Sequence, residues 1–284
     1  TIDFVKTPVC GVLLQYPNTY GDIDTGIASL VQTIHDNNAL VVCTTDLLAL
    51  TMLKPPGEFG ADIAVGNSGR FGVPLGYGGP HAAFFSVKPK YKRDIPGRII
   101  GVSKDSNGKP CYRMALQTRE QHIRRQKAGS NICTAQALLA NTAAMYGVYH
   151  GPKGLKQIAT HVHEKCSILA AGLSKLGNII KNKDNLYFDT LQVKLRSGLT
   201  MSTLMDISQN KYNMNFRQID DSSVGISLNE TTTEADLNNI LKCFAGKSDA
   251  ETNAKDIANE ISKQLNIISL NSEINRTSKF MTHE

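Results

Sequence analysis

The chain has no tryptophan, and aromatic residues make up only 6% of it. Its six cysteines (Cys10, Cys43, Cys111, Cys133, Cys166, Cys243) contain no CxxC pair. That excludes zinc-knuckle spacing and the cysteine density of a disulfide scaffold, and it reads as free thiols in a reducing compartment. No apolar run approaches the ~20 residues that a membrane-spanning helix needs. No secretory signal is visible, and the first residue is Thr1 rather than Met, which is expected of a processed N-terminus or a piece of a longer protein. One further absence is local: there is no lysine between Lys54 and Lys88.

What is present supports a large folded unit. The 284 residues are 41% hydrophobic and 20% charged, enough for one large domain or two moderate ones. The net charge of +6 is uneven. Lys88 to Lys127 holds twelve Lys/Arg against three acids (Asp94, Asp105, Glu120), a local +9 that leaves the rest at −3. Such a segment points to an anionic partner.

Apolar runs at Val9–Leu14, Ala39–Cys43 and Ile63–Val65 read as buried strands, with Ile27, Leu30, Val31 and Ile34 at helical spacing between the first two. This is the rhythm of a parallel α/β sheet. Between Ala61 and Val87 the pattern is strand, long glycine-rich loop, strand. Pro96–Val102 and Cys111–Leu116 predict a hairpin about Asn107-Gly108. Thr118–Gln121 resembles a capping box that opens a short basic helix, and Thr134–Tyr149 predicts a buried alanine-rich helix ended by Gly151-Pro152. Leu155, Ile158, Ala159, Val162, Cys166, Leu169, Ala170, Leu173 and Leu176 form the clearest amphipathic stripe.

After it come a strand at Leu186–Leu195, a helix at Met201–Gln209, strands at Met214–Ile219 and Ser223–Leu228, and a helix at Glu234–Phe244 capped at Thr231–Glu234. Ser248–Leu265 predicts another helix. The expected organisation is a large α/β domain over 1–150, a small α+β domain over 151–265 and a polar linker or arm over 266–284.

The candidate sites each have a plain alternative. Gly76-Tyr77-Gly78-Gly79 matches part of a dinucleotide fingerprint, but a strand follows it, so no helix N-terminus waits for a pyrophosphate. The glycines then serve backbone turns. Arg70, Tyr77 and His81 could hold an anionic group, or be a surface arginine and ordinary loop residues. Arg119, His122, Arg124, Arg125 and Lys127 make a basic helix without interleaved aromatics, which fits an acidic protein or a solvated face better than nucleic acid. His161 and His163 are two apart on a helix and cannot pair on one metal.

Several stretches together closely resemble one family: KPPGEFGADIAVGNSGRFGVPLGYGGPHAAFF, IPGRIIGV, RMALQTREQHIRRQKAGSNICTAQALLAN and RTSKFMTH. The chain resembles, along essentially its whole length, the P-protein (glycine decarboxylase) family of the glycine cleavage system. The resemblance implies the aspartate-aminotransferase fold, fold type I among pyridoxal-phosphate enzymes, with a small α+β C-terminal domain. It implies decarboxylation of glycine with pyridoxal phosphate and passage of an aminomethyl group to the lipoyl arm of the acidic H-protein, in the mitochondrial matrix.

The family's long form has two similar halves, of which only the second carries the Schiff-base lysine, and this chain resembles the later part of the first. Matching the phenylalanine of the family's lysine loop to Phe71 puts Gly69 at the lysine position. The aspartate that would charge the pyridine nitrogen falls near Cys43, with Asp46 expected to point elsewhere. The implied role is structural support of a catalytic half that binds the cofactor. Gly76, Tyr77, Gly78, Gly79 and His81 would be a degenerate remnant of a cofactor loop. A stand-alone pseudo-enzyme or a binding module for an acidic protein is the alternative.

Overall fold

A computed structural model of the chain describes residues 6–95, 99–115, 136–246 and 273–282, with the single positions Phe4, Asp256 and Asn259. The predicted basic helix, the candidates Arg119, His122, Arg124, Arg125 and Lys127, and most of the helix expected at 248–265 lie outside the described residues.

The first lobe is a four-stranded sheet in the order β1 (Gly11–Tyr16), β2 (Leu40–Thr45), β3 (Ile63–Asn67), β4 (Ala83–Val87). The first three strands are parallel, and β4 closes the sheet antiparallel to β3. Helix α1 (Ile27–Asp36) makes the crossover from β1 to β2. It buries Ile27, Val31 and Ile34 and leaves Leu30, a quarter-turn off that stripe, 40% exposed. Tyr16, Val41, Cys43, Leu48 and Phe59 complete the core beneath it.

The glycine-rich stretch is the loop from β3 to β4, as the strand–loop–strand pattern requires. Gly66 is demanded by packing: a Cβ there would sit 2.4 Å from the Thr45 carbonyl oxygen and 2.7 Å from the Phe84 ring. A separate hairpin follows, β5 (Ile100–Lys104) and β6 (Pro110–Met114). Its turn is fixed by Asp105 Oδ1, which accepts from Asn107 N and Lys109 N, and by Gly108 at φ +79°.

Helix α2 (Ala137–Lys175) is two helices joined end to end. Gly151, at φ 59° and ψ −178°, breaks it, and Pro152 starts the second half, where a missing N–H costs nothing. The first half differs from the buried helix that its alanine content predicts. Leu138, Met145, Val148 and Tyr149 are 64–85% exposed, and only Ala143 and Gly147 are buried.

The second half carries the amphipathic stripe into the small lobe. There it packs on an antiparallel sheet ordered β7 (Ile179–Ile180), β8 (Thr190–Lys194), β10 (Ser223–Ser227), β9 (Arg217–Asp220). Cys166, Leu169, Leu173, Leu191, Val193, Val224, Leu241 and Phe244 form this core. Helix α3 (Met201–Asp206) runs into a wider turn over Ile207–Lys211, and helix α4 (Glu234–Ala245) closes the lobe. The cap of α4 lies two residues beyond the predicted box: Thr233 Oγ1 accepts from Asp236 N, and Asp236 Oδ2 accepts from Thr233 N at 2.8 Å.

The polar C-terminal stretch is not a free arm over 273–282. Lys54 N donates to Ile274 O at 2.7 Å, Arg276 N to Met52 O at 2.8 Å, and Arg276 Nη1 to Leu50 O at 2.9 Å. Ile274, 2% exposed, joins the first lobe's core. One apolar side chain and one arginine fork aimed at backbone carbonyls dock a segment whose average polarity reads as solvent-exposed.

Candidate functional site

In an open parallel sheet the ligand crevice lies beyond the carboxyl ends of the strands. Here that place is a cavity of about 480 Å³ lined by Gln15, Pro17, Thr44, Thr45, Asp46, Gly66, Asn67 and Arg70. The ends of β1, β2 and β3 each contribute. Two hydroxyls are already engaged: Thr44 Oγ1 donates to Leu14 O at 3.1 Å and Thr45 Oγ1 to Tyr16 O at 2.7 Å. Asn67 Oδ1 accepts from Gly69 N at 3.0 Å, an Asx turn that starts the loop.

Asp46 faces this crevice, against the expectation that it points elsewhere. β2 ends at Thr45, so strand alternation no longer sets its direction. Instead Asp46 Oδ1 accepts from Leu48 N at 2.9 Å as the chain turns. Burial pushes the Asp46 carboxyl above the usual range, against the pull of Arg70. Cys43, the position matched to the pyridine aspartate, is fully buried in the core under α1, and burial raises its thiol to about 12.

Arg70 is the one cationic side chain among the described residues of the crevice. Its Nη1 donates to Asp189, across the lobe boundary, and lies 3.9 Å from Asp46. Its Nε and Nη2 are buried without a hydrogen-bond partner among the described residues. Phe188 lies beside it, 6.0 Å from the guanidinium carbon to the ring centre. Arg70 is a candidate from the sequence, but Asp189 is not, because nothing local announces a contact 119 residues away.

The other loop candidates are not brought to the crevice. Gly76, Tyr77 and Gly78 all have positive φ (54°, 55°, 82°), and Tyr77 and His81 are exposed. They form a tight exposed turn, so Arg70, Tyr77 and His81 do not form one site. Gly69 is held by Asn67, and a Cβ there would meet Asn67 Oδ1 at 2.9 Å. Gly72 (φ +72°) lets the Tyr146 ring approach, and Phe71 stacks on that ring at 5.9 Å.

Pyridoxal phosphate needs a primary amine for its Schiff base. Among the described residues the crevice lining has none, and its guanidinium is already paired with an internal carboxylate. These residues do not fit the cofactor. Among the described residues no group of three or more His, Cys, Asp or Glu could hold a metal ion. His163 is a buried core histidine, Nδ1 donating to Phe188 O at 2.8 Å, and burial lowers its pKa.

A sheet of this topology, its crevice at the carboxyl ends and a small α+β lobe leaning over it define the class. Solved structures give it a name: pyridoxamine-pyruvate aminotransferase from Mesorhizobium loti has a TM-score of 0.61 over 92% of the chain, and aspartate aminotransferase from Thermus thermophilus 0.56 over 91%, at 16% and 14% identity. The fold is that of the fold type I pyridoxal-phosphate enzymes. The family follows from sequence.

The family model of the glycine cleavage system P-protein matches residues 2–244, and the chain belongs to that family. It is 51% identical over 283 residues to mitochondrial glycine dehydrogenase (decarboxylating) of Mus musculus, covering 100% of this chain and 26% of that protein. To the same enzyme of Nostoc punctiforme it is 50% identical, covering 28% of it. A solved glycine decarboxylase (P-protein) of the glycine cleavage system, in inhibitor-bound form, has a TM-score of 0.76 at 31% identity over 84% of this chain and 55% of that one. The chain thus spans about a quarter of the length of these curated relatives.

Proposed function

We propose that this chain is a supporting segment of a pyridoxal-phosphate-dependent glycine dehydrogenase (decarboxylating), from that enzyme's non-lysine half. The complete protein would decarboxylate glycine and transfer the aminomethyl group to the lipoyl group of H-protein. The cofactor would be bound by the catalytic half, and this segment would pair with that half and help to seat H-protein through Arg119, His122, Arg124, Arg125 and Lys127. Gly76, Tyr77, Gly78, Gly79 and His81 would keep a backbone shape rather than a binding role.

The observation that carries this reading is the crevice itself: it has the position of a cofactor site, no lysine, and an arginine spent on Asp189. The open apolar side chains of the hairpin and of the first half of α2 (Val102, Tyr112, Leu138, Val148, Tyr149) supply a surface for the paired half. The mitochondrial matrix is the proposed compartment, from the mitochondrial relatives.

The test is direct. Incubation of the complete polypeptide with pyridoxal phosphate, borohydride reduction and peptide mapping should place no adduct within residues 54–88, the adduct lying outside this chain. A reduced adduct on any lysine of this chain with internal-aldimine absorbance would end the supporting reading. The stand-alone reading is separated by gene sequence: a lysine-bearing half in frame after Glu284 removes it.

A further inference from the structure

Arg70, which lines the crevice that lacks a cofactor's amine, is tied to the other lobe by an ion pair. Arg70 stands on the loop after β3, and Asp189 immediately precedes β8 in the small lobe. Their side chains are 25% and 13% exposed, so the pair is largely desolvated, where a charge-assisted bond is strong and an unmet donor is costly. Arg70 nevertheless leaves Nε and Nη2 without acceptors among the described residues.

Its one short contact is to Asp189, with Asp46 farther off at 3.9 Å. Asp189 is in turn held in place. Thr190 Oγ1 donates to its Oδ1 at 2.9 Å, and the neighbouring Phe188, 1% exposed, is anchored through its carbonyl to His163 of α2.

A second set of contacts runs beside this one. Residues 17–24, the loop after β1, are pinned to the small lobe. Asn182 Nδ2 donates to Tyr20 O at 3.0 Å, Lys183 N to Asp22 Oδ1 at 3.0 Å, and Arg217 Nη1 to Thr19 O at 2.8 Å. Gly21, at φ +88°, approaches so closely that a Cβ would sit 2.1 Å from the Thr190 carbonyl oxygen, beside Asp189.

We propose that Arg70 and Asp189 form a latch. The carboxylate of Asp189 takes Nη1 of the guanidinium and so fixes the small lobe against the carboxyl ends of the sheet. Arg70 is then a positioning residue, and its pair with Asp189 is a fixed joint between the lobes.

The latch is tested in the complete polypeptide by limited chymotrypsin digestion, with the Tyr20–Gly21 cut followed by mass spectrometry, and by chemical rescue. Asp189→Ala should speed that cut about tenfold to a hundredfold, the loss expected for one hydrogen bond to a charged group. Formate should slow it again toward the wild-type rate by refilling the carboxylate position, whereas chloride at equal ionic strength should not. Asp189→Asn keeps the side chain's shape and the acceptor for Thr190, and should show the same acceleration if Asp189→Ala does not fold. Wild-type cleavage rates in both variants, or rescue by chloride as good as by formate, would overturn the latch.

Discussion

At the scale of single residues, Asp62 shows how a charge is kept inside the first lobe. Its side chain is 1% exposed, and it accepts from Val41 N at 3.0 Å, from His35 Nε2 at 2.8 Å and from Lys88 Nζ at 2.9 Å. Burial alone would raise its carboxyl, but these hydrogen bonds and the lysine outweigh burial and hold it at about 2. A depressed carboxyl contributes stability that is complete above its unfolded value and is lost as pH falls through the folded one.

The expected contribution is about 2 kcal/mol, present above roughly pH 4 and gone near pH 2. Asp62→Asn should therefore lower the denaturant midpoint at pH 7 and flatten the loss of stability between pH 4 and 2. Parallel acid profiles for variant and parent would show that the carboxylate is not the titrating group. In the sequence Lys88 marks the end of a lysine gap and the start of the basic segment, with nothing to pair it with Asp62. Its use as a counter-ion at the amino end of β3 depends on the antiparallel return of β4, which no local pattern encodes.

At the scale of elements, the long helix is decided by one residue. Gly151 adopts φ 59°, ψ −178°, a region that only glycine enters freely, and a Cβ there would touch nothing within 4 Å. The expected penalty for Gly151→Ala is thus a backbone one, about 1–3 kcal/mol without any clash, read as a lowered midpoint in urea. An unchanged midpoint would mean that the two helix halves can straighten.

The break itself was legible in Gly151-Pro152. The exposure of the first half was not: alanine-rich composition reports what a helix can bury, and the packing partner is supplied by tertiary structure. The same holds for 273–282, where polarity predicts an arm and two side chains, Ile274 and Arg276, instead dock it.

At the scale of the whole molecule, the chain is an incomplete surface. Exposed apolar side chains lie on the hairpin and on the first half of α2, and Leu13 on edge strand β1 is 67% exposed. Unpaired edges and open apolar faces favour self-association, so the isolated chain should be poorly soluble; a monomeric, cooperatively melting sample would contradict that.

The +9 segment bears on the proposed H-protein contact. Arg124→Glu with Arg125→Glu should slow H-protein association by at least about tenfold at low salt and flatten its salt dependence, as measured by stopped flow. A rate that is unchanged across salt would place that charge away from the contact.

By itself the sequence determined the strand rhythm of the first lobe, the glycine loop, the amphipathic half of α2, the helix break at Gly151 and the family, because these rest on periodicity, on φ-restricted residues and on long specific motifs. It also determined that the loop carries no lysine. Tertiary structure decided what stands in that place. Asp46 turns into the crevice because a strand ends one residue earlier, and Arg70 meets Asp189, 119 residues along the chain, because the two lobes pack on one another. Ion pairs across a fold follow from packing geometry, and a one-dimensional pattern does not contain that geometry.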